Sequence, residues 1–164
     1  MKKIEIIPPK EPIKGEVTIP GSKSYTNRAL IMASLAQGTS ELKGVSRCDD
    51  CNVLIGALRQ LGIAITQNDD EISIIGNSGR FKEFRGEINV GHAGTAMRFL
   101  TALCSLVPGE IVLDGSDRMR ERPIGDLVNA LRHLGADIQY VDKRGFPPLR
   151  ISGGKMTGGE VSMD

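Results

Sequence analysis

Tryptophan is absent from the 164 residues, and there are only two tyrosines and four phenylalanines. So few rings leave little on which to stack nucleobases. No charge predominates either: 21 Lys and Arg against 20 Asp and Glu give a net charge of +1. A dedicated nucleic-acid binder shows a basic surplus, so that class is excluded. Long apolar runs are missing, and none approaches the ~18 residues of a membrane helix. The opening Met1-Lys2-Lys3-Ile4-Glu5-Ile6-Ile7-Pro8-Pro9 is basic, but Glu5 and the prolines break any signal core. Three cysteines cannot form a full set of disulfides, which fits a reducing compartment. The sequence therefore predicts a cytoplasmic protein with neither nucleic-acid nor membrane partners. Glycine is plentiful at 20 residues, and 40% hydrophobic content is that of an ordinary folded domain.

The most informative feature is self-similarity. Gly15-Glu16-Val17-Thr18-Ile19 matches Gly86-Glu87-Ile88-Asn89-Val90 at an offset of 71 residues. Ala57-Leu58-Arg59-Gln60-Leu61-Gly62 matches Ala130-Leu131-Arg132-His133-Leu134-Gly135 at an offset of 73. A third copy opens at Gly159-Glu160-Val161-Ser162-Met163. Each unit reads as βαβαββ. A strand (Val17–Pro20; Ile88–Val90) enters a Gly-rich turn and then a helix apolar on almost every face (Arg28–Ala36; Ala96–Val107), expected to be buried all round. A second strand (Thr39–Gly44; Glu110–Asp114) precedes an amphipathic helix (Cys51–Leu61; Ile124–Leu134) stopped by Gly62 or Gly135. Two alternating strands complete the unit (Ile63–Thr66 with Glu71–Ile75; Asp137–Val141 with Leu149–Ser152). The expected division is a lead-in strand over 1–14, a first unit over 15–76, a linker over Asn77–Arg85, a second unit over 86–153 and the start of a third over 154–164. A repeat cut after one strand predicts the front portion of a longer protein.

Chemistry gathers at helix starts. Gly21-Ser22-Lys23-Ser24 opens the first apolar helix, with Arg28 in its first turn. Gly91-His92-Ala93-Gly94-Thr95 opens the second, with Arg98 placed alike. Arg118-Met119-Arg120-Glu121-Arg122-Pro123 leads into the second amphipathic helix, where Pro123 suits the first position. Cations at a positive helix end are disfavoured by ~0.3–1 kcal/mol unless an anion joins them. At the repeat offset, Asp49 stands where Arg122 does, and Asp49 and Asp50 read as ordinary capping carboxylates. Singly, Ser24 and Thr95 can be plain N-caps and the basic residues solvated. Three such termini in one repeat favour a phosphate-bearing small molecule. The glycine spacing is not that of a P-loop. His92 is open between touching a ligand and packing, whereas Cys104 reads as packing and His133 as surface. Cys48-Asp49-Asp50-Cys51 has no partners for a zinc site, and its acidic pair should oppose thiolate formation.

Gly21-Ser22-Lys23-Ser24-Tyr25-Thr26-Asn27-Arg28-Ala29, Gly94-Thr95-Ala96-Met97-Arg98 and Arg118-Met119-Arg120-Glu121-Arg122-Pro123-Ile124-Gly125 together resemble the front of the 5-enolpyruvylshikimate-3-phosphate (EPSP) synthase family. The resemblance runs from about Ile4 to the last residue. The sister family that makes enolpyruvyl-UDP-N-acetylglucosamine lacks the Ser-x-x-Asn-Arg pattern. The resemblance implies two similar domains of three βαβαββ units each, with helices inside and sheets facing solvent, an inside-out barrel. It implies that Lys23, Ser24 and Arg28 bind shikimate 3-phosphate. Lys23 would also reach phosphoenolpyruvate as the catalytic lysine, in a site lined by Gly94 and Arg122, where glyphosate competes. Thr95 and Arg98 would support that site. The implied reaction protonates the enolpyruvyl carbon, adds the shikimate 5-hydroxyl and expels phosphate, with no metal or organic cofactor. Phe99 follows Arg98 where many plant and enteric members have proline. The Ser-Ser-Gln motif and the second domain, with its acid/base carboxylates, are not in this chain. It is therefore expected to be an incomplete part of the enzyme and inactive alone, its partner being the missing C-terminal part. The alternative is a non-catalytic anion-binding module on the same scaffold.

Overall fold

The computed structural model describes residues 4–68 and 71–162. The first half contributes α1 (Lys23–Leu35), β1 (Gln37–Lys43), α2 (Asp49–Gln60), β2 (Ala64–Gln67) and β3 (Glu71–Asn77). Strand β3 runs antiparallel to both neighbours, giving the sheet order β1-β3-β2. The second half contributes β4 (Phe84–Asn89), α3 (Gly94–Cys104), β5 (Gly109–Asp114), α4 (Asp117–Arg120), α5 (Gly125–His133), β6 (Asp137–Tyr140) and β7 (Leu149–Gly153). Its sheet order is β4-β5-β7-β6. Strand β7 lies between β5 and β6 as β3 lies between β1 and β2, so the sheets repeat, with β4 added parallel to the outer edge of β5. The helices face the apolar side of each sheet and the other side faces water. This is the layering of the inside-out α/β barrel.

Alternation makes each central strand two-faced. Ile72 and Ile74 of β3, and Leu149 and Ile151 of β7, are buried at 1% exposure or less. They meet Leu30, Leu54, Leu58 and Leu100, each fully buried on a helix. Side chains at period two and period 3.6 thus supply one shared core.

Both amphipathic helices stop in the same way. Gly62 and Gly135 take φ of +87° and +94°. The amide of the next residue then donates back into the last turn, Ile63 to the Leu58 carbonyl and Ala136 to the Leu131 carbonyl, each at 3.0 Å. Only glycine holds that left-handed geometry without a steric penalty. Arg59 and Arg132 both then donate to a carbonyl of the strand that follows, at Ile65 and Ile138.

The expected strand over Val17–Pro20 is absent, and so is the lead-in strand over the described part of 1–14. Val17 and Ile19 are 81% and 79% exposed, whereas their counterparts in the second unit, Ile88 and Val90, are buried. The neighbouring edge explains the difference. Strand β5 presents buried Ile111 and Leu113, while β1, Gln-Gly-Thr-Ser-Glu-Leu-Lys, is exposed or only partly buried throughout. Pairing there would cover little apolar surface against about 1–2 kcal/mol of backbone entropy per residue. Pro8, Pro9, Pro12 and Pro20 also remove ladder donors.

Complete burial of the apolar helices is corrected too. Tyr25 and Met32 on α1 are 78% and 65% exposed, and Leu106 just beyond α3 is 39% exposed. Sheet and helix neighbours cover these helices on some sides, leaving an apolar groove of about 180 Å³ lined by Ile31, Leu35, Phe99, Ala102, Leu103 and Leu106. In the third-unit start, Thr157 and Gly158 donate to the Leu134 carbonyl at 3.0 and 3.1 Å, and no strand forms over 154–162. Met163 and Asp164 lie outside the described residues.

Candidate anion site

Helix α1 begins two residues earlier than plain capping by Ser24 would require. Ser22 is the N-cap, accepting from the Tyr25 amide at 3.5 Å. Lys23 and Ser24 therefore occupy the first turn itself. In α3 the N-cap is Ala93, which offers no side-chain acceptor, and Gly94 and Thr95 fill the first turn. Neither Ser24 nor Thr95 is used as a cap, so both hydroxyls remain available to a ligand.

The third terminus differs from expectation. Arg118 and Arg120 lie in their own short helix, α4, and α5 starts only at Gly125, so Pro123 is not its first residue. Arg118 pairs with Glu121 at 2.5 Å. Arg120 donates two bonds to Asp114, at 3.0 and 2.5 Å, and the Gly115 amide adds a third at 2.7 Å. Burial opposes ionisation of Asp114, but those donors and the guanidinium charge outweigh it and hold its carboxyl below the usual value. Two arginines of the run are thereby committed to protein carboxylates. Arg122, in the loop between α4 and α5, turns towards α3.

One cleft of about 670 Å³ gathers the predicted residues from both halves. Lys23, Ser24 and Arg28 enter from α1, Gly94, Thr95 and Arg98 from α3, and Arg122 from the loop. Arg28 donates to the Ser24 carbonyl at 3.0 Å, and Arg98 donates to the Pro123 carbonyl at 3.0 Å, which ties the loop to α3. Arg122 lies close over Gly94: a Cβ at that position would stand 2.4 Å from its Nη1. Glycine is what allows this close approach.

Two residues in the cleft carry roles that sequence reasoning missed or left open. Asp50 is not a cap; Cys48 occupies that position, and the Asp50 carboxylate accepts from Lys23 Nζ at 3.0 Å. That hydrogen bond and its charge hold Lys23 protonated above its ordinary value. Nothing local in the sequence signals a contact across 27 residues. His92 lines the cleft, its Nδ1 2.8 Å from Ser116 Oγ. With four cations against one carboxylate, the cleft suits a polyanionic small molecule. Elsewhere, Cys104 is buried and His133 is exposed on its helix, as expected.

Repeated units with their helices inward define an inside-out α/β barrel protein, and cationic first turns converge on one cleft as its candidate anion site. Residues 7–164 match the family described as EPSP synthase (3-phosphoshikimate 1-carboxyvinyltransferase), and the chain belongs to that family. It is 44% identical over 163 residues to the 3-phosphoshikimate 1-carboxyvinyltransferase of Rhizobium leguminosarum bv. trifolii, with 99% of this chain and 38% of that protein aligned. The Bordetella pertussis protein of the same description is 48% identical over 143 residues, covering 87% of this chain and 32% of its own length. The solved EPSP synthase from Acinetobacter baumannii superposes with a TM-score of 0.79 at 30% identity, over 85% of this chain and 32% of that one. The chain thus spans about a third of the length of these relatives. Among the described residues, no helix is long and apolar enough to cross a membrane.

Proposed function

We propose that this chain forms one wall of an active site that transfers the enolpyruvyl group of phosphoenolpyruvate to the 5-hydroxyl of shikimate 3-phosphate, releasing phosphate. The observation that carries the reading is the convergence of Lys23, Ser24 and Arg28 with Gly94, Arg98 and Arg122 on one cleft. Lys23, Ser24 and Arg28 hold the 3-phosphate of shikimate. Arg122 and the first-turn amides of α3 hold phosphoenolpyruvate, with Thr95 and Arg98 in support. Lys23 lies between the two and stabilises the charge that develops as the enolpyruvyl carbon is protonated, the hydroxyl adds and phosphate departs. The remaining acid/base groups come from the rest of the enzyme, which is this chain's partner and closes over the substrates to exclude water. No metal or organic cofactor is required. The same reading sets units at 15–76, 86–153 and 154–164 and a cytoplasmic location.

The test is complementation. The 164-residue chain alone is expected to show no turnover and to bind shikimate 3-phosphate weakly, because exposed ion pairs contribute little. Adding the rest of the enzyme as a separate polypeptide is expected to restore turnover, and Lys23→Ala to lower the restored kcat/KM by roughly 10²-fold or more. Steady turnover by the isolated chain refutes the reading. Anion binding with no turnover even in the presence of the remainder identifies a non-catalytic module instead.

A further inference from the structure

Beneath Lys23 lies a pair of thiols that the proposed reaction does not use. Cys48 is the N-cap of α2 and Cys51 lies in its first turn, with their sulfurs 3.5 Å apart. Cys48 is partly exposed and Cys51 is fully buried. Between them in sequence stands Asp50, whose carboxylate holds Lys23 Nζ at 3.0 Å, and the Cys51 sulfur is 4.0 Å from the Lys23 carbonyl. The arrangement has an accessible sulfur at a helix N-terminus, a protected second sulfur within reach, and a direct link to the anion cleft.

We propose that Cys48 and Cys51 form a reversible dithiol–disulfide couple whose oxidation loosens the Asp50–Lys23 pair. The oxidant is a hydroperoxide, taken here as hydrogen peroxide. The Cys48 thiolate attacks one peroxide oxygen; the S–O bond forms, the O–O bond breaks, and the departing hydroxide takes a proton and leaves as water. The Cys51 thiol then attacks the sulfenic sulfur; the S–S bond forms, the S–O bond breaks, and a second water leaves with the Cys51 proton. Two thiols lose two electrons and one peroxide becomes two waters.

The division of labour between the sulfurs follows from their surroundings. At Cys48 burial opposes ionisation, but hydrogen bonds from Ser46 and Cys51 outweigh it and lower the thiol below its usual value. The expected opposition of the acidic pair is therefore overcome. Burial, with help from Cys48, pushes Cys51 up to about 12, so it waits as the neutral resolving thiol. Closing the bond brings the sulfurs from 3.5 Å to about 2.05 Å. That contraction spans the turn that carries Asp50, and the proposed loosening follows from it.

The whole 164-residue chain is exposed to hydrogen peroxide, quenched, alkylated under denaturing conditions and digested with trypsin. Cleavage after Arg47 and Arg59 isolates both thiols in one peptide, residues 48–59. That peptide is expected to lose about 2 Da and resist alkylation, and to recover with dithiothreitol. Cys48→Ala, at a partly exposed site that tolerates change, and Cys51→Ala are both expected to abolish the loss. Lys23 is read without any ligand, by its acetylation rate at about pH 9 relative to Lys82. Losing the Asp50 contact and the Cys48 thiolate charge lowers the Lys23 value, so oxidation is expected to speed acetylation roughly threefold or more, with reduced Asp50→Asn already fast. A bridge to Cys104, sulfinic acid at Cys48 without a bridge, or a bridge that leaves the Lys23 rate unchanged overturns the proposal.

Discussion

At the scale of single residues, Gly94 carries the sharpest consequence. A methyl group there meets the Arg122 guanidinium at 2.4 Å, and that flexible end can move away. Gly94→Ala should therefore leave stability nearly intact while displacing Arg122, raising the KM for phosphoenolpyruvate more than that for shikimate 3-phosphate in the complemented enzyme. Equal rises in both would show that Arg122 does not discriminate. Asp114 gives a pH signature. Its folded value lies below the unfolded one, so its stabilisation is present above about pH 3.9 and is lost as pH falls through the folded value. Asp114→Asn is expected to cost roughly 1–3 kcal/mol at neutral pH and to flatten the acid limb of a denaturation series. The cationic motifs Lys23–Arg28 and Gly94–Arg98 were legible because they are local and each opens a helix. The partners Asp50 and Asp114 were not, since ion pairs at 27 and 6 residues' separation depend on which elements meet.

At the scale of elements, the amphipathic helices were legible from apolar spacing closed by glycine. That stop signal is local chemistry, written identically at Gly62 and Gly135. The second position is the less forgiving: a Cβ at Gly135 would stand 2.5 Å from Thr157 Oγ1 and 2.9 Å from its amide nitrogen, besides requiring φ of +94°. Gly135→Ala should cost at least about 1 kcal/mol by denaturant unfolding, and more than Gly62→Ala, where space is open. The strand over Val17–Pro20 was misread because its alternation is intact while its prospective neighbour is polar. Strand formation depends on that neighbour, whereas a helix closes its own hydrogen bonds. Pro123, read as the first residue of α5, lies two residues before it for a related reason: Asp117–Arg120 form a separate turn, α4, anchored by Asp114 and capped by Ser116.

At the scale of the whole molecule, the repeat made the architecture readable before any side chain was placed, because the second sheet reuses the order of the first. What the repeat could not convey is the incomplete coverage of α1 and α3, which depends on what packs beside them rather than on their own pattern. The uncovered arm before α1 has its own consequence in the cell and at the bench. Backbone that makes no ladder and buries no side chain fits a protease cleft without any unfolding of the domain. Lys10 and Lys14 stand in that arm, both exposed. Brief trypsin treatment should clip after them first and leave the rest of the chain resistant, with the melting temperature unchanged by the cut. A lowered melting temperature would mean that the arm contributes to stability. The repeat match at Gly15–Ile19 would then be, for this chain, the point at which its degradation begins.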